Sequence, residues 1–272
     1  MKRAPLLALL LIAAVLIAPS IAPQSPYDLA QFDWHDARLA PGSTGTTGMT
    51  YRLGTDEQGR DLLSAILHGL RVSVVVALIA TLLALTLGMI VGLTAAWAGG
   101  RTDDLLMRVV DLQLSFPAIL IALVLLAVLG TGLEKIVIAL VAAQWAYYAR
   151  TTRSIALVER QKTYVTAARA LGLRGATIAV RHVLPNCLPA LLVVATAQVA
   201  HAVALEATLS FLGLGVPITE PTLGLLVANG YPHLLAGRYW ISVFPGVALV
   251  LVLLALHATG ERLRRQFARA AP

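Results

Sequence analysis

The sequence predicts an all-α, polytopic membrane protein, and three observations carry that expectation. Of its 272 residues, 58% are apolar and 13% charged, whereas a soluble domain carries about 25% charged residues. Mean hydropathy is +0.79. Six apolar runs, near 5–22, 72–97, 114–131, 134–149, 188–212 and 240–259, each have enough length, or nearly enough, to cross about 30 Å of hydrocarbon as a helix. Six transmembrane helices are therefore expected.

Residues 1–23 form the first element. Lys2 and Arg3 precede a Leu- and Ala-rich run that ends at Pro19 and Pro23. It reads as an N-terminal transmembrane helix or as a cleaved signal peptide, and both leave residue 24 outside. Residues 24–70 form an external segment with a Gly- and Thr-rich loop tip at 41–48. Thr55 or Asp56 is placed to cap a short interfacial helix, whose stripe Leu62, Leu63, Ile66, Leu67 feeds span two.

Residues 71–272 form a five-helix core. In span two, Gly88 and Gly92 either permit close helix approach or reflect how common glycine is in spans. Thr102 or Asp103 can cap a helix running through Met107 to Leu112, and Pro117 fits the first turn of span three. Gly130 and Gly132 make a tight turn into span four. Within the loop 153–187, Thr163 can cap a helix that Gly172 ends, and a second helix over 175–183 should stop before Pro185. After span five, the Gly- and Pro-containing loop 213–224 should follow a defined path into a short helix at 222–229.

Charge orients the chain. The acids Asp28, Asp33, Asp36, Asp56, Glu57 and Asp61 dominate 24–70, whereas Arg150, Arg153, Arg160, Lys162, Arg169, Arg174 and Arg181 face a single acid, Glu159, over 150–182. The positive-inside rule puts the loop 153–187 and both termini in the cytoplasm. The net charge of +7 is thereby topological, and no nucleic-acid partner is expected. A lone cysteine, Cys187, excludes an intramolecular disulfide and a Cys-based metal cluster.

Motifs for chemistry within the chain are missing. Neither Gly-xxxx-Gly-Lys-Ser/Thr nor His-Glu-xx-His occurs. Ser115 and Ser210 have no favourable spacing to His201 or His257 for a serine-protease dyad. Ionisable groups inside a span are costly, so His201 and Glu206 stand as gate or cavity candidates. The blander readings are a packed histidine and an interfacial carboxylate. Five residues apart, the two lie about 140° around a helix and do not share a face. Trp97, Trp145, Tyr147, Tyr148, Tyr239 and Trp240 fall near span ends, as interfacial belts do.

The loop is the most distinctive stretch. Ala167, Ala168, Gly172, Leu184 and Pro185 match the spacing of the EAA motif, which this segment resembles, of ABC importer permeases; Thr166 replaces its Glu and His182 its Ile. Further segments, 53–61, 71–73, 111–117, 164–172, 206–215, 244–246 and 260–263, are similar to the second permease subunit of the dipeptide/oligopeptide/nickel family, in the same order. That resemblance implies a type I ABC importer permease fold in a bacterial inner membrane, among its lipid. It implies a heterodimer with a related permease, two ATP-binding subunits and an external solute-binding protein. Residues Ala167, Ala168, Arg169, Gly172, Leu184 and Pro185 would dock an ATPase. ATP and magnesium would belong to the partner subunits, with no cofactor or metal on this chain. Di- and oligopeptides, nickel and other small solutes compete as cargo. From the residues alone, an ion-coupled carrier or a non-transporting scaffold stays open.

Overall fold

The computed structural model describes residues 10, 12–26, 33–217 and 220–270. Among these there is no strand, only isolated antiparallel bridges at Thr44–Thr50 and Thr55–Asp61. The expected first span, 5–22, is described at residue 10 and from 12 onward. There it is a short apolar helix, Ile12–Ile21; the remainder lies outside the described residues.

Segment 33–61 folds on buried polar contacts. The Asp36 carboxylate accepts from the Tyr51 hydroxyl at 2.9 Å and from the Thr46 amide at 2.9 Å. Asp56 and Arg60, each 2% exposed, form an ion pair at 2.6 Å. Burial, and then the bond to Asp36, push the Tyr51 hydroxyl up to about 12. Hydrogen bonds from Thr46 and His35 hold Asp33 down at about 2.

α1, Leu62–Ala98, is a single 37-residue helix. The separate interfacial helix expected before span two is its first turns, because no residue between Leu62 and Ala98 breaks the ladder. Nor do Thr55 or Asp56 cap it. Asp61 does, accepting from the Ser64 amide at 2.8 Å and the Ser64 hydroxyl at 2.6 Å. Gln24 stitches this cap to the preceding chain, its Oε1 accepting from the Asp61 amide at 2.8 Å.

α2, Gly100–Leu114, starts at Gly99 without a side-chain cap. Thr102 and Asp103 lie inside the helix, and the Asp103 carboxylate is engaged by Arg153 at 2.5 and 2.6 Å. α3, Ala118–Leu129, follows a bend of 86°. Pro117 sits at its N-cap rather than in its first turn, and its extended backbone makes the bend. With 12 residues, α3 spans about 18 Å. α4, Leu133–Glu159, runs on past the apolar stretch to include Arg150 and Arg153.

α5, Thr163–Ala170, and α6, Gly175–Ile178, form the basic loop. Lys162 occupies the N-cap of α5, and Thr163 is already its first residue. The expected stop before Pro185 does not occur. A π-helical turn, Ala179–Val183, leads into α7, Leu184–Phe211, so that Gly175–Phe211 is one 37-residue helix. The wider turn, with its i→i+5 bonding, accommodates a proline that has no N–H to donate. α8, Leu223–Gly230, is capped by Thr222, and α9, Trp240–Ala270, completes the fold.

α1, the Gly175–Phe211 helix and α9 are each long and apolar enough to cross a membrane; α2 with α3 adds a fourth if the bent pair crosses as one. The six expected spans are therefore not fully met among the described residues. α1 is central to the packing. Its buried Leu62, Ala65 and Val74 meet Val203, Leu226 and Ile241. Ala80 meets Leu140 and Leu209, and Ala84 and Leu85 meet Tyr148 and Leu191. The α1–α4 seam settles the two readings of Gly88 and Gly92. A Cβ at Gly88 would lie 2.4 Å from Tyr148 Cβ, and one at Gly92 would lie 2.3 Å from the Ala149 carbonyl oxygen. Close approach requires both glycines.

Candidate docking loop and buried carboxyl

The basic loop is packed on its inner side and open on its outer side. Val165, Ala168, Ile178, Ala179 and Val183 are buried together against Ala96 and Tyr148. Leu171 is 80% exposed, Val180 59% and Leu173 41%. The sequence-derived docking set is thereby divided. Ala167, Arg169, Gly172 and Pro185 are exposed; Ala168 is buried within the chain, and Leu184 is partly buried against the same cluster. At Gly172 the backbone has φ +76°, with no atom within 4 Å of a Cβ built there. Glycine is needed at this position for the left-handed turn that ends α5, not for room inside the chain.

Polar contacts fix the base of the loop. Glu159, buried at the end of α4, accepts from Lys162 Nζ at 2.6 Å and from the Tyr164 hydroxyl at 2.9 Å. Burial and then this carboxylate push Tyr164 up to about 12. Asn186 Nδ2 donates to the His182 carbonyl at 2.6 Å, bridging the π turn to α7. Arg160 and Arg169 both lie over the Trp97 ring. Sequence reasoning missed Glu159, Arg160 and Trp97 as parts of this site. The arginines looked like topology signals, and Arg160 lies 63 residues from the tryptophan that it meets.

About 33 Å along α7 from Leu184, Glu206 is 1% exposed. The Ser210 hydroxyl donates to its Oε1 at 2.7 Å, and the hydroxyls of Ser73 and Thr222 flank the same carboxyl. The Ser210 bond lies within α7, and the other carboxylate oxygen, Oε2, is buried without a hydrogen-bond partner. Glu206 is buried inside the chain rather than standing at the interface as expected. A cavity of about 480 Å³, lined by Thr131, Ser210, Pro217 and Asn229 among others, lies beside it. His201 is exposed on another face of α7. The structure does not bring the two gate candidates together.

Glu206→Gln keeps an acceptor for Ser210 and should change stability by less than about 1 kcal/mol, whereas Glu206→Leu strands the buried Ser210 hydroxyl and should cost about 1–3 kcal/mol. Thermal unfolding of the purified chain in detergent measures both. Equal losses in the two variants would mean that charge, not hydrogen bonding, carries the contact.

Comparison with known proteins adds independent findings. Residues 84–270 match the family described as binding-protein-dependent transport system inner membrane component. A putative peptide transport system permease protein of Brucella suis is 44% identical, over 80% of this chain and 73% of that protein. The di/tripeptide transport system permease protein DppC of Pseudomonas aeruginosa is 36% identical over 94% and 83%. The nickel transport system permease protein NikC of Escherichia coli is 35% identical over 95% and 91%. Among solved structures, an inward-facing MetNI methionine ABC transporter chain superposes with a TM-score of 0.60, at 20% identity, over 74% of this chain and 95% of that one.

Proposed function

The chain belongs to the family of inner membrane components of binding-protein-dependent transport systems, and on that premise we propose that it forms half of the translocation pore of an ATP-driven importer of di- and oligopeptides. A related permease supplies the other half. Of two ATP-binding subunits, one docks on the loop 163–185 from the cytoplasm and the other on the related permease, and a solute-binding protein delivers cargo on the opposite face. Hydrolysis belongs to the ATP-binding subunits. Both termini lie on the cytoplasmic side, in keeping with the basic residues of the loop and of the tail after Gly260.

The observation that carries this reading is the open apolar tip of an otherwise packed loop. Leu171 and Leu173 are exposed on either side of Gly172, with Ala167 also exposed, while the inner side is pinned by Ala168, Ile178 and Val183. A rigid loop with an exposed apolar tip and cationic flanks is suited to insertion into a groove of another protein. Peptides are favoured as cargo because two of the three relatives named above carry peptide in their names, at 44% and 36% identity.

Gly172→Asp tests the docking role. The side chain would strain the left-handed backbone at φ +76° and enter space that is empty in this chain and that a docked ATPase would fill. Stimulation of ATP hydrolysis by a loaded binding protein, in proteoliposomes holding both permeases and both ATPases, should fall about tenfold or more. A variant that assembles and is stimulated like the wild type would exclude docking at Gly172. Competition by a dipeptide against uptake of labelled peptide, compared with competition by Ni²⁺, separates the two cargo classes.

A further inference from the structure

Trp97 lies in the last turn of α1, where an aromatic at a span end ordinarily marks the membrane interface. Its surroundings are different. The Arg160 guanidinium, at the end of α4, lies 5.5 Å from the ring centroid, and the Arg169 guanidinium, on α5, lies 5.4 Å from it. Both are within cation–π range. Arg160 is itself anchored, its Nη1 donating to the Ala96 carbonyl at 2.7 Å and the Trp97 carbonyl at 3.4 Å. Those carbonyls belong to the C-terminal turn of α1, which has no helical donors of its own to satisfy them. Gly175, the first residue of α6, meets the edge of the same ring: a Cβ there would stand 2.8 Å from Trp97 Nε1. The end of α4, α5 and α6 thus converge on one side chain.

We propose that Trp97 is the positioning residue of the docking loop, fixing the attitude of α5 and α6 to the end of α1 through its π face and its indole edge. Described as positioning for ATPase docking, this rests on the importer reading above; as a clamp on the loop, it stands on the geometry alone. It also gives Arg169 a role within this chain. An aromatic that served only the membrane interface would leave the order of the loop 163–173 unchanged when replaced by leucine. A clamp of this kind needs a π face opposite the cations, so tyrosine should substitute and leucine should not.

Two measurements on Trp97→Leu and Trp97→Tyr decide the matter. The first is hydrogen exchange over residues 163–173 of the full chain in nanodiscs. Leucine should speed exchange about tenfold, and tyrosine should leave it within about twofold of wild type. The second, in the assembled complex with its partner permease, ATPases and loaded binding protein, is the ratio of stimulated to unstimulated ATP hydrolysis. Leucine should lower this ratio about fivefold or more, and tyrosine should restore it. Wild-type exchange in Trp97→Leu would remove the clamp. Faster exchange with an undiminished ratio would remove the positioning role, and a tyrosine variant as impaired as the leucine one would reduce Trp97 to bulk. If leucine at 97 prevents assembly, Arg160→Gln, outside the docking set, takes one cation from the ring without altering the sequence of α1, with Arg160→Lys as its rescue, and the same outcomes apply. Failure of the wild-type chain to recruit any ATPase would overturn the importer reading, while the exchange data would still decide the clamp.

Discussion

Gly92→Val should leave little folded protein in the membrane. A Cβ at Gly92 would stand 2.3 Å from the Ala149 carbonyl oxygen, 2.8 Å from Thr152 Cβ and 3.0 Å from the Arg153 amide nitrogen. Two of these three neighbours are backbone, so no rotamer change relieves the contact. Either α1 and α4 part along their length or one of them bends. Overpacking ordinarily costs about 1–3 kcal/mol, and a backbone-to-backbone clash at the centre of the fold should reach the top of that range, about 3 kcal/mol or more. Net stabilities are about 5–15 kcal/mol, so the loss is a large share of the total. Ile90→Val, on the exposed face of the same helix, should be within about 0.5 kcal/mol of wild type. Membrane yield of monodisperse protein and its melting temperature in detergent measure both. A Gly92→Val protein with wild-type yield and melting temperature would show that the seam is loose.

Asp56→Ala should unfold the segment 33–61 locally. Its carboxylate accepts from Arg60 Nε at 2.6 Å, from the Gln58 amide at 2.8 Å and from the Arg60 amide at 3.0 Å. Removing it leaves a buried guanidinium without its counter-charge and two amides without an acceptor. Breaking a buried pair by deleting one partner costs about 3–5 kcal/mol, whereas replacing both partners with apolar residues is often neutral. The double variant Asp56→Leu/Arg60→Met should therefore recover the part due to the unpaired guanidinium, while the Gln58 and Arg60 amides stay without an acceptor. Protease susceptibility across 33–61 in intact proteoliposomes is the direct readout. Protection of Asp56→Ala equal to wild type would show that the pair is dispensable.

The long apolar cores of this fold could be read from composition, and their ends could not. The run 72–97 lies inside α1, but the helix starts ten residues earlier, at Leu62, because Asp61 caps it there. The stripe Leu62, Leu63, Ile66, Leu67 fits a surface helix and the first turns of a span equally well. The difference is decided by tertiary contacts, including Gly69 packed against the backbone of Thr222 and Leu223. Similarly, Pro185 reads as a helix stop. Continuing through it takes a π turn, which leaves no mark in hydrophobic periodicity. At the docking loop, spacing identified Gly172 and its neighbours, and the observed φ of +76° gives the glycine its physical reason. Spacing could not separate Ala167, which is exposed, from Ala168, which is buried, because Ala168 packs in one cluster with residues distant in the sequence, Ala96 and Tyr148 among them. Glu206 stood out because charge inside a span is rare. Its hydroxyl neighbours Ser73 and Thr222 come from elements more than a hundred residues apart in the sequence, beyond the reach of any local pattern.

The unbroken helix Gly175–Phe211 has a mechanical consequence. Its 37 residues make a rod about 55 Å long, with the docking loop at one end and Glu206 toward the other. Its two irregularities, the π turn at Ala179–Val183 and Pro189, both lie near the loop end, and the helix beyond them runs on to Phe211 as one piece. If an ATPase tilts its cytoplasmic end by about 10° around a pivot near the middle, each end swings by about 5 Å, in opposite directions. On the importer reading proposed above, such a rod would be a lever, and alternate opening of two gates would be a single motion: the stroke that draws the inner ends together would draw the outer ends apart.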